Sequence, residues 1–197
     1  GCITDAMPYT DVLVIKNAGS SPLSGGWSSQ QTYVIAGIVS FELRDGADMP
    51  LDIGESYVAY PYRLQIYYIR DGATPTLSRK ILAWDAVTES MAIQTEDLVQ
   101  GVENMRFRFG YDSNDDGEVD TLANVTDVTD ADKWDQVTSL QVFLLLASDV
   151  SDPNYTDGKT YQLGDIAVSP EDSVRRILLH SNMTLRNRRL AWRGGGQ

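Results

Sequence analysis

Hydrophobic and polar residues alternate with a period of two along much of this chain. In residues 102–111, VENMRFRFGY, the apolar residues Met105, Phe107 and Phe109 alternate with Arg106 and Arg108. This is the period of a strand with one buried face. The pattern therefore predicts a β-dominated fold. Further strands are predicted at residues 11–17, 31–41, 57–70, 77–84, 138–147, 161–163 and 176–188.

Helix signals are few. Residues 96–102 are predicted to form one helical turn, and residues 130–137 a second, with Thr129 or Asp130 as its N-cap and Trp134 facing the core. The predicted fold class is α+β and β-dominated, with antiparallel sheets and one or two short helices. We expect one domain over residues 1–197, and two packed sheets are one arrangement that fits it.

The composition removes several kinds of chemistry. The 197 residues include 16 Lys and Arg against 28 Asp and Glu, a net charge of −12, with one His and one Cys. A disulfide within the chain and a zinc site of Cys and His ligands are therefore excluded. A catalytic triad would depend on His180, which we interpret as a packed or surface residue. We therefore expect no catalysis. We also expect no nucleic-acid binding, because non-specific binding needs a cationic surface.

The charges are unevenly distributed along the chain. Residues 111–135 contain nine acids and one base, Lys133, whereas the residues from Ser173 onward contain no acid. That last part contains Arg175, Arg176, Arg186, Arg188, Arg189 and Arg193. Runs of like charge are usually solvated surface, but the same distribution fits a cation site in the first segment and an anionic partner for the second. Composition leaves both interpretations open.

Residues 112–120, DSNDDGEVD, form the most specific local pattern in the sequence. Oxygen-bearing residues at alternate positions, followed by glycine, match the first part of an EF-hand calcium loop. Calcium prefers oxygen ligands, and glycine allows the sharp turn that brings them together. The candidate metal ligands are Asp112, Asn114, Asp116, Asp120 and Glu118, the last through its backbone carbonyl.

Two observations oppose a complete EF-hand site. The twelfth position of the loop, where an EF-hand has a bidentate glutamate, is Ala123. No helices are predicted on either side, so a calcium ion would need a further ligand from elsewhere in the chain. A turn rich in Asn, Asp and Gly between two strands needs no metal at all. The sequence leaves calcium binding and a metal-free turn both open.

Five segments occur in an order that is typical of a known family. They are IYYIRDGATPTLSRK, DLVQGVENMRFRFGYDSNDDGEVD, WDQVTSLQVFLLLAS, TYQLGD and RRILLHSNMTLRNRR. In this order they resemble the PilW-type minor pilins of type IV pili, over residues 57–190, while residues 1–56 match less distinctly. The segment VENMRFRF also resembles the GspJ-type pseudopilins of type II secretion, a related group.

The resemblance implies a pilin-like fold and a non-enzymatic role in type IV pilus assembly. Such a minor pilin joins other minor pilins in a priming complex at the pilus tip, starts filament assembly and helps to display a tip adhesin. Cell adhesion and twitching motility are the associated processes. The alternatives are a minor pseudopilin of type II secretion and a free-standing periplasmic β domain that binds calcium or carbohydrate.

The resemblance also implies a location. Family members begin with a long apolar helix that anchors them in the inner membrane of a Gram-negative bacterium. The longest apolar run in this chain, residues 142–147, is far short of the roughly 20 residues that such a helix needs. We therefore interpret the chain as the C-terminal globular part of a longer protein. This part would lie in the periplasm, reach the membrane only through the missing helix, and later occupy the pilus tip at the cell surface.

Overall fold

The computed structural model describes residues 3–38 and 40–185. The regular elements are mostly strands, as the alternation of apolar and polar residues predicts. The strands are β1 Leu13–Ala18, β2 Thr32–Ala36, β3 Phe41–Asp45, β4 Val58–Arg70, β5 Thr76–Asp85, β6 Ser90–Gln100, β7 Val102–Tyr111, β8 Thr121–Ala123, β9 Val137–Ser151, β10 Tyr161–Leu163, β11 Ile166–Val168 and β12 Val174–Thr184. The α-helix α1 spans Val125–Asp130, and 3₁₀ turns occupy Gly46–Asp48 and Trp134–Gln136.

The chain divides into two compact units. Unit A comprises Val12–Tyr68 and Leu77–Leu98, and unit B comprises Gly1–Asp11, Ile69–Thr76 and Val99–Gln197. The expectation of a single domain over residues 1–197 stays a prediction.

Unit A is built on a six-stranded sheet. Its strand order is β3-β2-β4-β5-β6, and β1 also pairs with β4. The long strand β4 pairs antiparallel with two other strands, through residues 58–61 with β2 and through residues 62–67 with β1. The loop after β4 leads directly into β5, which confirms the hairpin that the sequence predicts at this point.

One buried cluster of unit A lies where β2 meets the start of β4. Tyr33, Ile35 and Ala59 are buried there. Trp27 packs edge-on against the ring of Tyr33, with 5.6 Å between the ring centroids. The indole Nε1–H of Trp27 donates to the carbonyl of Pro50 at 2.7 Å, which satisfies the polar atom of a ring that is otherwise packed on apolar residues.

Unit B contains a four-stranded antiparallel sheet in the order β12-β9-β7-β8. Its central strand β9 pairs with β7 on one edge and with β12 on the other, so that Leu144 lies opposite both Met105 and Leu179. Met105 and Phe107 of β7 are buried. This confirms the predicted alternation of that strand.

Apolar clusters on two parts of the sheet, both among the described residues, help to stabilise unit B. The hairpin of β10 and β11 places Tyr161 and Leu163 against Leu145 of β9. The short helix α1 places Val128, which has no exposed surface, against Ala123 and Val137. The burial of these residues covers part of the sheet that would otherwise face water.

The strand predictions are confirmed more closely than the helix predictions. Residues 96–102 are not helical, because β6 continues to Gln100 and pairs with β5. Strand pairing therefore outweighs the helix propensity of that segment. Gly101 then adopts φ +77°, and a Cβ there would lie 2.7 Å from the Ala147 carbonyl oxygen. A glycine is thus required for the turn into β7.

The second predicted helix is displaced along the chain. The helix begins at Val125, and its N-cap is Asn124, whose Oδ1 accepts from the Asp127 N–H at 2.9 Å. Trp134 packs edge-on against Phe109, with 4.9 Å between ring centroids, yet remains 44% exposed. The predicted strand 31–41 is divided into β2 and β3, and the end of the predicted strand 176–188 lies outside the described residues.

The central position of Leu145 leads to a stability prediction. Leu145 is 1% exposed, so Leu145→Ala should lower the free energy of unfolding by about 2–5 kcal/mol, since it leaves a cavity in the cluster with Tyr161 and Leu163. The control Val150→Ala changes a residue of the same strand that is 67% exposed, and its effect should stay within about 0.5 kcal/mol. Urea unfolding followed by circular dichroism measures both, and equal losses would contradict the packing described.

Candidate functional site

The acidic loop, residues 112–120, connects β7 to β8 in unit B. It starts directly after Tyr111 and closes where the Asp120 N–H donates to the Tyr111 carbonyl at 3.1 Å. Asp115 and Gly117 have φ of +61° and +92°. These are left-handed conformations that Asp tolerates and glycine favours, and they fold the loop tightly.

Asp112 is the anchoring residue of the acidic loop. Its side chain is 5% exposed, and its Oδ2 accepts from the Gly117 N–H at 2.7 Å. Its own N–H donates to the Gln136 carbonyl at 3.0 Å. Within the described residues, Oδ1 of Asp112 is buried and receives no hydrogen bond. Such an orphaned carboxylate oxygen is the feature of the loop that fits a bound cation.

The other loop oxygens are partly held by backbone donors. Asn114 Oδ1 accepts from the Asp116 N–H at 2.9 Å, and Asp116 Oδ1 accepts from the Glu118 N–H at 2.8 Å. These are successive Asx turns, which such residues form with or without a metal. Glu118 is exposed.

Asp120 is held by Ser113. Its Oδ2 accepts from the Ser113 hydroxyl at 2.7 Å and from the Ser113 N–H at 2.8 Å. The hydroxyl hydrogen bond, followed by the backbone one, lowers the pKa of Asp120 below its usual range. The carboxylate is therefore charged at neutral pH, as a cation ligand must be.

The structure brings the predicted ligands into one loop but does not gather their carboxylates at one point. Among the described residues, no group of three or more His, Cys, Asp or Glu side chains converges closely enough to hold a metal ion. Calcium binding by Asp112, Asn114, Asp116, Glu118 and Asp120 therefore stays a prediction. Gln136, beside the base of the loop, was not identified from the sequence, because no motif connects it to residues 112–120.

A second charged cluster surrounds Arg176 on β12. The Arg176 side chain is 5% exposed. Its Nη1 and Nη2 each donate to one oxygen of Asp172 at 2.7 Å, and its Nε donates to Glu103 Oε2 at 2.6 Å. Nη1 also lies 3.4 Å from Oδ2 of Asp157, a fully buried residue. Bidentate hydrogen bonds between arginine and carboxylates are strong, and they offset part of the free energy that burying these charges costs.

The Arg176 cluster shifts the titration of its members. Hydrogen bonds from Arg176 lower the pKa of Asp172 to about 2. Burial opposes the ionisation of Asp157, but hydrogen bonds from the hydroxyls of Tyr155 and Tyr161 outweigh it, so that its pKa is also lowered. Burial, followed by the hydrogen bond to Asp157, raises the pKa of Tyr161 to about 12.

Two arginines of the basic C-terminal segment form ion pairs within unit B. Besides Arg176, Arg175 donates through Nη2 to Asp152 at 2.7 Å and lies over the Tyr155 ring. The remaining arginines of the terminal segment lie outside the described residues; they are Arg186, Arg188, Arg189 and Arg193. His180 is exposed and stacks on Phe143 with 4.5 Å between ring centroids, in agreement with the expectation of a packed or surface residue.

Comparison with known families decides how these features are interpreted. A family model described as type IV pilus-assembly protein W, PilW, matches residues 66–187. The chain belongs to the PilW family. The match begins in β4 and includes the acidic loop, α1 and the Arg176 cluster. Searches of curated proteins and of solved structures gave no match.

Membership of the PilW family gives a coarse function. The chain takes part in type IV pilus assembly, which is a structural role in the cell envelope and involves other pilus components. PilW is an assembly family and not a known enzyme family. In the part of the chain that the structure describes, no helix has the length and apolar character needed to cross a membrane.

The Arg176 cluster predicts an acid-dependent loss of stability. A carboxyl whose pKa is lower in the folded than in the unfolded state stabilises the fold above its unfolded pKa, about 3.9 for Asp, and this contribution is lost as pH falls through the folded pKa. The stability difference between wild type and Arg176→Met should therefore be largest above about pH 5 and shrink towards pH 2.

Urea unfolding at a series of pH values measures this difference. The control is Arg63→Met, which changes an exposed arginine of β4 and should give a small difference that does not vary over this range. A difference for Arg176→Met that stays constant between pH 5 and pH 2 would show that the cluster does not lower these pKa values.

Proposed function

We propose that this PilW-family chain is a minor pilin that joins other minor pilins in a priming complex at the tip of a type IV pilus. The observation that carries the proposal is the family match over residues 66–187. In this role the chain starts filament assembly and helps to display a tip adhesin, and cell adhesion and twitching motility depend on it indirectly.

The edge of the unit B sheet supports a role in subunit contacts. β12 is the terminal strand of that sheet in the part of the chain described. Ile177 is 57% exposed and Leu179 is 46% exposed on this strand. An edge strand with apolar side chains in contact with water can pair with, or pack against, another chain. We propose that β12 contributes to the contact with another minor pilin.

The proposed location follows from the proposed role. We propose that an apolar helix preceding this part of the protein anchors it in the inner membrane of a Gram-negative bacterium. The two units then lie in the periplasm before assembly and at the pilus tip afterwards. The family match to pilus assembly favours this over a pseudopilin of type II secretion or a free-standing binding domain.

We also propose that the acidic loop binds calcium as a structural ion. The supporting observation is Asp112, whose Oδ1 is buried without a hydrogen bond from any described residue. Five carboxylates within nine residues repel one another, and a divalent cation would relieve both the repulsion and the orphaned oxygen. The ion would stiffen the loop that joins β7 to β8.

The assembly role is tested in cells with the full-length protein. Deletion of the gene should strongly reduce the number of surface pili, and the wild-type gene should restore it. Ile177→Glu combined with Leu179→Glu should prevent restoration and abolish co-purification with other minor pilins, because charged residues would face the contact. The control is Val87→Glu in the β5–β6 turn, which is 92% exposed. Normal pilus numbers after deletion, together with no association with any minor pilin, would refute the proposed role.

Calcium binding is tested by thermal unfolding. At a free concentration about 100 times the dissociation constant, calcium should raise the Tm by about 5–10 °C. Asp112→Asn should remove most of the rise, because it removes the charge of the buried ligand. Asp149→Asn, a change at an exposed acid outside the loop, should leave it intact. A wild-type Tm that does not respond to calcium would exclude the structural ion.

A further inference from the structure

Gln136 lies opposite Asp112 at the base of the acidic loop. The N–H of Asp112 donates to the Gln136 carbonyl, with 3.0 Å between nitrogen and oxygen. The adjoining pair of the ladder is Tyr111 opposite Val137. Gln136 ends the 3₁₀ turn Trp134–Gln136 and lies just outside the ladder of β7 and β9. The hydrogen bond from Asp112 to its carbonyl therefore places the two residues next to each other at the base of the acidic loop.

Both side chains contain a buried oxygen without a donor. Among the described residues, Oδ1 of Asp112 and Oε1 of Gln136 are buried and receive no hydrogen bond. Buried acceptors are nearly always paired in folded proteins, because leaving them unpaired is unfavourable. A cation bound at the base of the loop would give both oxygens a partner.

We propose that Gln136 Oε1 is the ligand that completes the calcium site of the acidic loop. The inference rests on the proposed binding of calcium by residues 112–120. Position twelve of the loop is Ala123, which leaves a place for a ligand from outside the loop. Gln136 supplies a neutral oxygen of the hard type that calcium prefers.

The full set of ligands reaches the lower limit of calcium coordination. The proposed ligands are Asp112 Oδ1, Gln136 Oε1, the side-chain oxygens of Asn114, Asp116 and Asp120, and the Glu118 carbonyl. Calcium takes roughly six to eight oxygens. Because the carboxylates do not converge among the described residues, binding includes an inward rotation of Asp116 and Asp120, which are both exposed.

An ion held in this way would affect more than the loop. Asp112 and Gln136 mark the two ends of residues 113–135, which include β8 and α1. A cation that joins the two ends closes this segment at its base. Calcium should therefore slow amide hydrogen exchange throughout residues 113–135, including α1, because local opening of the segment would require release of the ion.

The test compares two substitutions at Gln136 in the 197-residue chain by calorimetric titration with calcium chloride. Gln136→Met keeps the length of the side chain but removes the oxygen, and it should weaken calcium binding by about tenfold or more. Gln136→Glu replaces the amide oxygen with a carboxylate and should strengthen binding. The control Gln100→Met changes an exposed glutamine at the end of β6 and should not alter the affinity. Circular dichroism of each variant without calcium verifies that it is folded.

Opposite changes in affinity for the two Gln136 variants distinguish coordination from packing. If Gln136→Met binds calcium as tightly as wild type, Gln136 is not a ligand, while calcium binding by the loop stands. If wild type gives no binding heat and no change in hydrogen exchange, the loop proposal fails as well. Exchange that slows only within residues 113–120 would also overturn the role of Gln136. None of these outcomes changes the minor-pilin proposal, which co-purification tests separately.

Discussion

The register between β7 and β9 determines the position of the other parts of unit B. Phe109 pairs with Leu140 and Tyr111 with Val137, with an irregularity between Gly110 and Tyr111. A Cβ on Gly110 would lie 2.2 Å from Ser139 Oγ and 2.8 Å from Val119 Cγ1, so a larger residue at position 110 would have to displace these side chains. A slip of one residue would move the apolar face of β7 to the opposite side of the sheet.

This register also determines what lies beside the acidic loop. Because β7 ends where β9 begins, the first residue of the loop meets Gln136. The intervening residues then return as β8 and α1, whose Val128 is buried against Ala123 and Val137. The loop is thus held at its base by strand pairing and packing, while its tip is exposed. Such a position suits a structural ion, since an ion at the base would reinforce contacts that already exist.

The acidic residues of unit B have two different environments. Glu103, Asp157 and Asp172 surround Arg176 and share the single positive charge of its guanidinium. Within the described residues, the acids of the loop form no ion pair with a basic side chain. Asp112, Asp116 and Asp120 accept from serine, asparagine or backbone donors instead. Residues 111–135 contain nine acids and one base and carry a net charge of −8. This segment would repel another acidic surface, unless a cation is bound.

Local sequence pattern was sufficient for most strands and insufficient for the helices. The alternation in VENMRFRFGY predicts β7 with its bounds and its buried face, because side-chain direction in a strand follows directly from position. Residues 96–102 have no such clear alternation. Residues 96–100 are the end of β6, and their pairing with β5 depends on the hairpin that joins β5 to β6. The start of α1 was missed because several Asn, Asp and Thr residues there are acceptable N-caps, and packing of Val128 selects Asn124.

The sequence by itself determined a β-dominated fold, the position of the acidic loop and the family, because each is encoded in residues that are close together or follow in a fixed order. It also identified five candidate ligands within the loop. Only the tertiary structure showed that Asp112 has a buried oxygen without a donor, that Gln136 lies opposite it, and that Arg176 gathers three carboxylates. These contacts join residues distant in sequence. They depend on strand register and on the burial of particular atoms, which no local pattern of residue types specifies.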